Sequence, residues 1–308
     1  MRKLSFILIF LIIGSPTIFY GQSNLLNAVI PQEIGKLNEQ QLLTSDNEPL
    51  AYGYVDDRDV MWSKTVWEKI DLDERINFPF YYPVADVDPT RKPLFDVLWE
   101  NILNGNITEV YEDGYFTTKR SPDVIKGYLK SRELNKLGRK NFNAGVPNDE
   151  SPESQEYTTV VIGKEEIDSY LIKGTWYFDK RLGELKYRLL GIAPTAVVAS
   201  SRANNDAQDN PKDIKDLDAV PLFWVWFPNA RLALNGSEIF NSRNASQPIT
   251  FDLMLNTRRF NSVIYKEENP YNDREIKDYI YEDALRQLLE SERIKNVIRD
   301  YEQDMWNN

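Results

Sequence analysis

The chain has 308 residues, with 48 Asp+Glu against 37 Lys+Arg, and contains neither cysteine nor histidine. Those two absences remove Ser-His-Asp and Cys-His nucleophile systems, the imidazole base, disulfides, and the Cys/His sites of zinc, haem and iron–sulfur centres. The acid excess repels nucleic acid and anionic lipid, so no nucleic-acid partner is expected; Arg258-Arg259 is the nearest thing to a basic patch.

In chain order, the first signal is for export. Arg2 and Lys3 precede the apolar run Leu4 to Ile13, and Gly14, Ser15 and Pro16 break it. That run is about 10 residues, against roughly 20 for a spanning helix, so residues 1–21 read as a cleaved signal peptide. No cysteine is available for lipidation, and the mature protein is expected to be soluble and periplasmic. Residues 22–50 read as an N-terminal arm. Leu25, Leu26, Val29 and Ile30 are apolar, and polar residues dominate after Gly35.

A helix-rich α+β region is expected over 51–137. Asp57 or Asp59 can cap a helix with Trp62, Val66 and Ile70 at i, i+4 and i+8 and Trp67 widening the stripe. Phe78 to Pro83 reads as an extended aromatic segment. Pro93 opens a second helix through Leu94, Phe95, Leu98 and Ile102, stopped by Gly105. Ile107 to Tyr111 and Tyr115 to Thr118 read as strands, and Ser121-Pro122-Asp123 starts a third helix running to about Leu137.

Residues 138–156 form a polar linker. The part beyond it, 157–308, reads as β-rich with a polar loop at 200–218 and a C-terminal helix. Thr158 to Ile162 is one strand, and Thr175 to Asp179 with Leu185 to Leu190 is a hairpin. Pro221 to Pro228 is continuously apolar and reads as a strand buried on both faces. The terminal helix carries Leu285, Leu288 and Leu289, then Ile294, Val297, Ile298, Tyr301, Met305 and Trp306. Core packing is expected for Leu285 to Leu289. The fold class is therefore α+β: a helical N-terminal part, an antiparallel β-rich part and a long C-terminal helix.

Little in the chain carries catalysis. A glycoside hydrolase needs only two carboxylates about 5–10 Å apart, and aromatic strips such as Trp224-Trp226 could stack on sugars, but no clustered acidic signature accompanies them. The Asp/Asn-rich stretch 204–218 lacks the EF-hand pattern, and no phosphate-binding glycine motif is present. No catalytic, cofactor or metal residues are assigned. The candidate interface residues are Leu25, Leu26, Val29 and Ile30 of the arm and Tyr301, Met305 and Trp306 of the last turn.

Several longer strings are more specific. Asp56 to Lys64 (DDRDVMWSK), Val66 to Leu72 (VWEKIDL), Pro93 to Leu98 (PLFDVL), Tyr187 to Pro194 (YRLLGIAP) and Leu222 to Pro228 (LFWVWFP) together resemble the GldN/PorN family of the type IX secretion and gliding-motility machinery of Bacteroidetes. The resemblance implies a non-enzymatic periplasmic ring subunit. It also implies three partners: a GldK/PorK-type outer-membrane lipoprotein, the periplasmic part of a GldM/PorM-type motor component, and neighbouring copies. A carboxylate hydrolase and a free periplasmic binding protein are the alternatives.

Overall fold

The structure is a computed structural model that describes residues 48–85, 91–134, 136–145, 155, 157–196, 219–239, 249–281 and 283–306. The signal segment, the arm before residue 48, most of 146–156 and the polar stretch 200–218 lie outside the described residues.

The centre is an antiparallel sheet in the order β11-β1-β5-β6-β8-β2, with β7 pairing β6. Its long members are β1 (Val60–Asp71), β5 (Ile167–Asp179) and β6 (Glu184–Ala196). The shorter ones are β2 (Val110–Tyr111), β7 (Val220–Pro221), β8 (Trp224–Trp226) and β11 (Val263–Glu267). β5 and β6 form the expected hairpin, longer at both ends, with Asp179 facing Glu184 and Gly183 at φ 64° in the turn. Two small ladders lie apart: β3 (Lys130–Leu134) with β4 (Tyr157–Val161), and β9 (Glu238–Ile239) with β10 (Ile249–Thr250).

The helices are α1 (Phe78–Tyr81), α2 (Leu94–Leu103), α3 (Pro122–Leu129), α4 (Lys136–Asn143), α5 (Phe227–Asn235), α6 (Phe251–Asn256), α7 (Ile276–Tyr279) and α8 (Ala284–Trp306). The α+β class, the antiparallel sheet and the long C-terminal helix agree with expectation. α2 also follows it: Leu94, Phe95, Leu98 and Ile102 are buried, and Gly105 (φ 76°) takes the left-handed position that ends the helix.

Other elements differ. Residues 60–71 form β1, not a helix. A spacing of four is also a multiple of two, so Trp62, Val66 and Ile70 share one face of a strand as readily as one stripe of a helix. The β-branched and aromatic content (Val60, Trp62, Thr65, Val66, Trp67) then favours the pleated form, and β5 pairs with it from end to end. Phe78-Pro79-Phe80-Tyr81 is the helical turn α1 instead of an extended segment, with Pro79 in the first turn, where its missing N–H costs nothing.

The third expected helix divides into α3, β3 and α4, because Lys130–Leu134 gains a distant partner in β4. α4 therefore occupies the first part of the expected linker. Residues 115–118 form no strand; Phe116 turns at φ 60° and plugs into the sheet. Pro221 to Pro228 is buried as expected but is not one strand, since α5 begins at Phe227 with Pro228 in its first turn.

The main core lies between one sheet face and α1, α2, α5 and α6. Ile70, Tyr170, Ile172, Leu189 and Ile192 meet Phe80, Leu98, Phe227 and Phe251 there. A second cluster on the same face joins Val66 and Ile264 to Ile294 and Ile298 of α8. Trp67, next to Val66, points the opposite way and packs with Ala193, Trp224 and Phe116.

Candidate interaction surface

The first half of α8 carries its own cap and surface ion pairs. The Asp283 carboxylate accepts from the Arg286 N–H at 2.9 Å and caps its start. Ion pairs at i, i+3 follow: Asp283–Arg286 (3.0 Å), Glu290–Arg293 (2.7 Å) and Glu292–Lys295 (3.0 Å).

One face of the helix docks. Ser291, Ile294 and Ile298 are buried. The Ser291 Oγ accepts from the Ile264 N–H of β11 at 2.9 Å, and the Lys295 ammonium donates to the Ser262 carbonyl at 2.9 Å. Tyr301 stacks on Trp62 of β1 with centroids 4.6 Å apart and meets Phe178 edge-on. The opposite face carries Leu285, Leu288 and Leu289, which are 66%, 45% and 60% exposed. These three leucines were expected in the core. The helix turns them outward because Leu285 and Leu289 each sit nine positions, or about two and a half turns, before Ile294 and Ile298.

Of the sequence-predicted interface residues, Leu25, Leu26, Val29 and Ile30 lie outside the described residues. Tyr301 is half-buried against Trp62, and Met305 is half-buried one turn on. Trp306 ends the helix, and its side chain lies outside the described set. The outward leucine row is not among the residues that the sequence marks as an interface. The signal that could have found it was the double apolar stripe, 285/288/289 against 294/298.

The segment that enters the domain is held by three arginines. Arg231 donates to the Leu50 carbonyl at 2.6 Å, Arg188 to the Gly53 carbonyl at 3.1 Å and Arg181 to the Tyr54 carbonyl at 2.8 Å. The Tyr52 ring lies 4.0 Å from the Arg231 guanidinium and 4.5 Å from that of Arg188, and its hydroxyl donates to Asn256 at 2.8 Å. Arg231 is itself fixed by a two-pronged pair with Asp252 at 2.8 and 3.0 Å. Residues 50–54 thus form a strap held along α5, α6 and the β5–β6 hairpin.

The buried carboxylates are committed to structure. Among the described residues these are Glu68, Asp179 and Asp252, and each pairs with an arginine. Glu68 takes both Arg258 nitrogens, at 3.1 and 2.6 Å, and accepts the Ser262 hydroxyl. Arg258, read in the sequence as half of a basic patch, is turned inward by the end of α6. Its N–H reaches the Leu255 carbonyl at 3.2 Å and the Arg259 N–H reaches that of Met254 at 3.0 Å, a Schellman cap with Arg258 at φ 52° where glycine is usual. Burial and the Glu68 carboxylate together push the neighbouring Tyr187 phenol up, and Arg258 opposes them. Glu238 is different: burial raises its carboxyl to about 7, with Arg91 opposing. No group of three or more Asp or Glu is placed to hold a metal among the described residues.

These features describe an ion-paired interior and, on α8, an apolar row turned outward. In a comparison with curated proteins, none matches the chain. A comparison with family profiles finds one match, over residues 55–307, to the family described as Gliding motility associated protein GldN. That match begins just after the strap, takes in the central sheet and runs through α8, so the chain belongs to the GldN family.

Proposed function

We propose that this chain is a non-enzymatic periplasmic subunit that assembles into a ring with an outer-membrane lipoprotein of the GldK type and contacts the periplasmic part of a GldM-type motor component. Membership in the GldN family makes it a component of the gliding-motility and type IX secretion machinery. The role within that machinery is the step added. The observation that carries it is the leucine row of α8, which stays exposed on a helix whose other face docks on the sheet through Ser291, Ile294 and Ile298. Exposed apolar rows of this kind mark protein contacts. A signal segment without a cysteine fits a subunit that reaches the outer membrane through a lipidated partner.

The test is to tag the chain at its C-terminus, solubilise envelopes in mild detergent and pull it down. The expected result is a high-mass assembly containing the lipoprotein, with Leu289→Glu weakening it. Elution of the wild-type chain at monomer mass, without the lipoprotein, overturns the reading.

A further inference from the structure

The strap begins over α5 and α6, whereas the leucine row lies on α8, which packs over β11. The strap is held at Leu50 by Arg231 of α5, at Tyr52 by Asn256 of α6 and at Gly53 by Arg188 of β6. α5 and α6 pack over β6, whereas α8 packs over β11. In the sheet, β1 and β5 separate β11 from β6. Leu50, the first strap residue held by an arginine, thus sits on the β6 side of β1 and β5, and the exposed row of α8 on the β11 side.

What leaves is chemically suited to what is exposed. No side chain from Gln22 to Ile30 is charged, and the apolar residues Leu25, Leu26, Val29 and Ile30 fall at i, i+1, i+4 and i+5, the spacing of a single helical stripe. Leu285, Leu288 and Leu289 present a second apolar stripe, at i, i+3 and i+4. Residues 31–49, between that stripe and the strap, span at most about 65 Å when extended, enough to carry the stripe off its own domain.

We propose that the Leu25–Ile30 segment of one copy docks on the outward Leu285, Leu288 and Leu289 row of a second copy. Donor and acceptor are different surfaces, so the proposed contact is head-to-tail and repeats from copy to copy. Such contacts close into rings or run on as filaments, in contrast to the self-complementary patch of a two-fold dimer. The inference rests on reading the chain as an assembly subunit and names the surfaces that join one subunit to the next.

The absence of native cysteine makes the test direct. Two full-length copies with different tags, one Val29→Cys and the other Leu289→Cys, are expressed together and exported in intact cells, then oxidised. A control pair places the second cysteine at Leu182, an exposed residue of the β5–β6 turn. The expected result is a disulfide-linked dimer carrying both tags, several-fold more abundant than in the control. Absence of the dimer, or equal crosslinking to Leu182, overturns the proposal. So does a chain carrying both Val29→Cys and Leu289→Cys that closes only on itself. If the wild-type chain still co-purifies with the lipoprotein when crosslinking fails, the assembly reading stands and this contact alone falls; loss of both removes both.

Discussion

At the scale of single residues, the interior is specified by charge pairs that the sequence displays only as scattered acids and bases. Glu68 is buried in the middle of β1 and tolerable only because Arg258 and Ser262 meet it. Arg258→Met leaves that carboxylate unpaired, and a loss of about 3–5 kcal/mol is expected in denaturant unfolding. The double change Glu68→Leu with Arg258→Met removes both charges and should cost less than Arg258→Met alone. Gly174 faces the same cluster: a Cβ there would lie 2.1 Å from the Tyr187 hydroxyl oxygen. Gly174→Ala should therefore cost about 1–3 kcal/mol by displacing the ring.

Glu238 gives a pH dependence. Its carboxyl is raised from 4.5 to about 7, so the folded state holds the proton more tightly than the unfolded state. Its contribution is most favourable below 4.5 and is lost as pH rises through about 7. Glu238→Gln should raise the thermal midpoint at pH 8 and change it little at pH 4.5. An equal shift at both values would refute the assignment.

At the scale of elements, β1 and α8 show how one pattern is read two ways. The spacing of Trp62, Val66 and Ile70 was legible, but the choice between strand and helix fell to β5, which pairs along all of it. α8 was legible as a helix, and its direction of burial was not, because it carries two apolar stripes and only one meets the sheet. Ile294→Ala removes methyl groups from a fully buried site and should cost about 2–4 kcal/mol. Leu289→Ser, on the outward face, should change unfolding free energy by no more than about 0.5 kcal/mol. Chemical denaturation of the two variants side by side checks the pair; equal losses would mean that the outward face is packed after all.

At the scale of the whole molecule, the strap is where the described body begins, and its three arginine contacts lead to a prediction about the residues before it. Removing residues 22–47 leaves the carbonyls of Leu50, Gly53 and Tyr54 on their arginines, so thermal unfolding should be unchanged while recovery of the assembly falls. Extending the deletion through residue 55 strips those three contacts and the Tyr52 ring from between Arg231 and Arg188, and the midpoint should drop by several degrees. Calorimetry of the two truncations, with co-purification of each, separates the roles. A drop already present in the shorter deletion would make the arm part of the fold.

The sequence by itself determined the α+β class, the hairpin of β5 and β6, the helices α2 and α8, and the family, because these follow from local periodicity, turn residues and uninterrupted strings. Tertiary structure alone decided that residues 60–71 are a strand, that Lys130–Leu134 breaks a helix, and that Arg258 faces inward. Each of those depends on a partner far away in the chain: β5, β4 and Glu68. The candidate surface divides in the same way. That α8 is apolar was written in its residues, but which leucines are left over for another protein depends on where the sheet lies, and periodicity along one helix cannot carry that information.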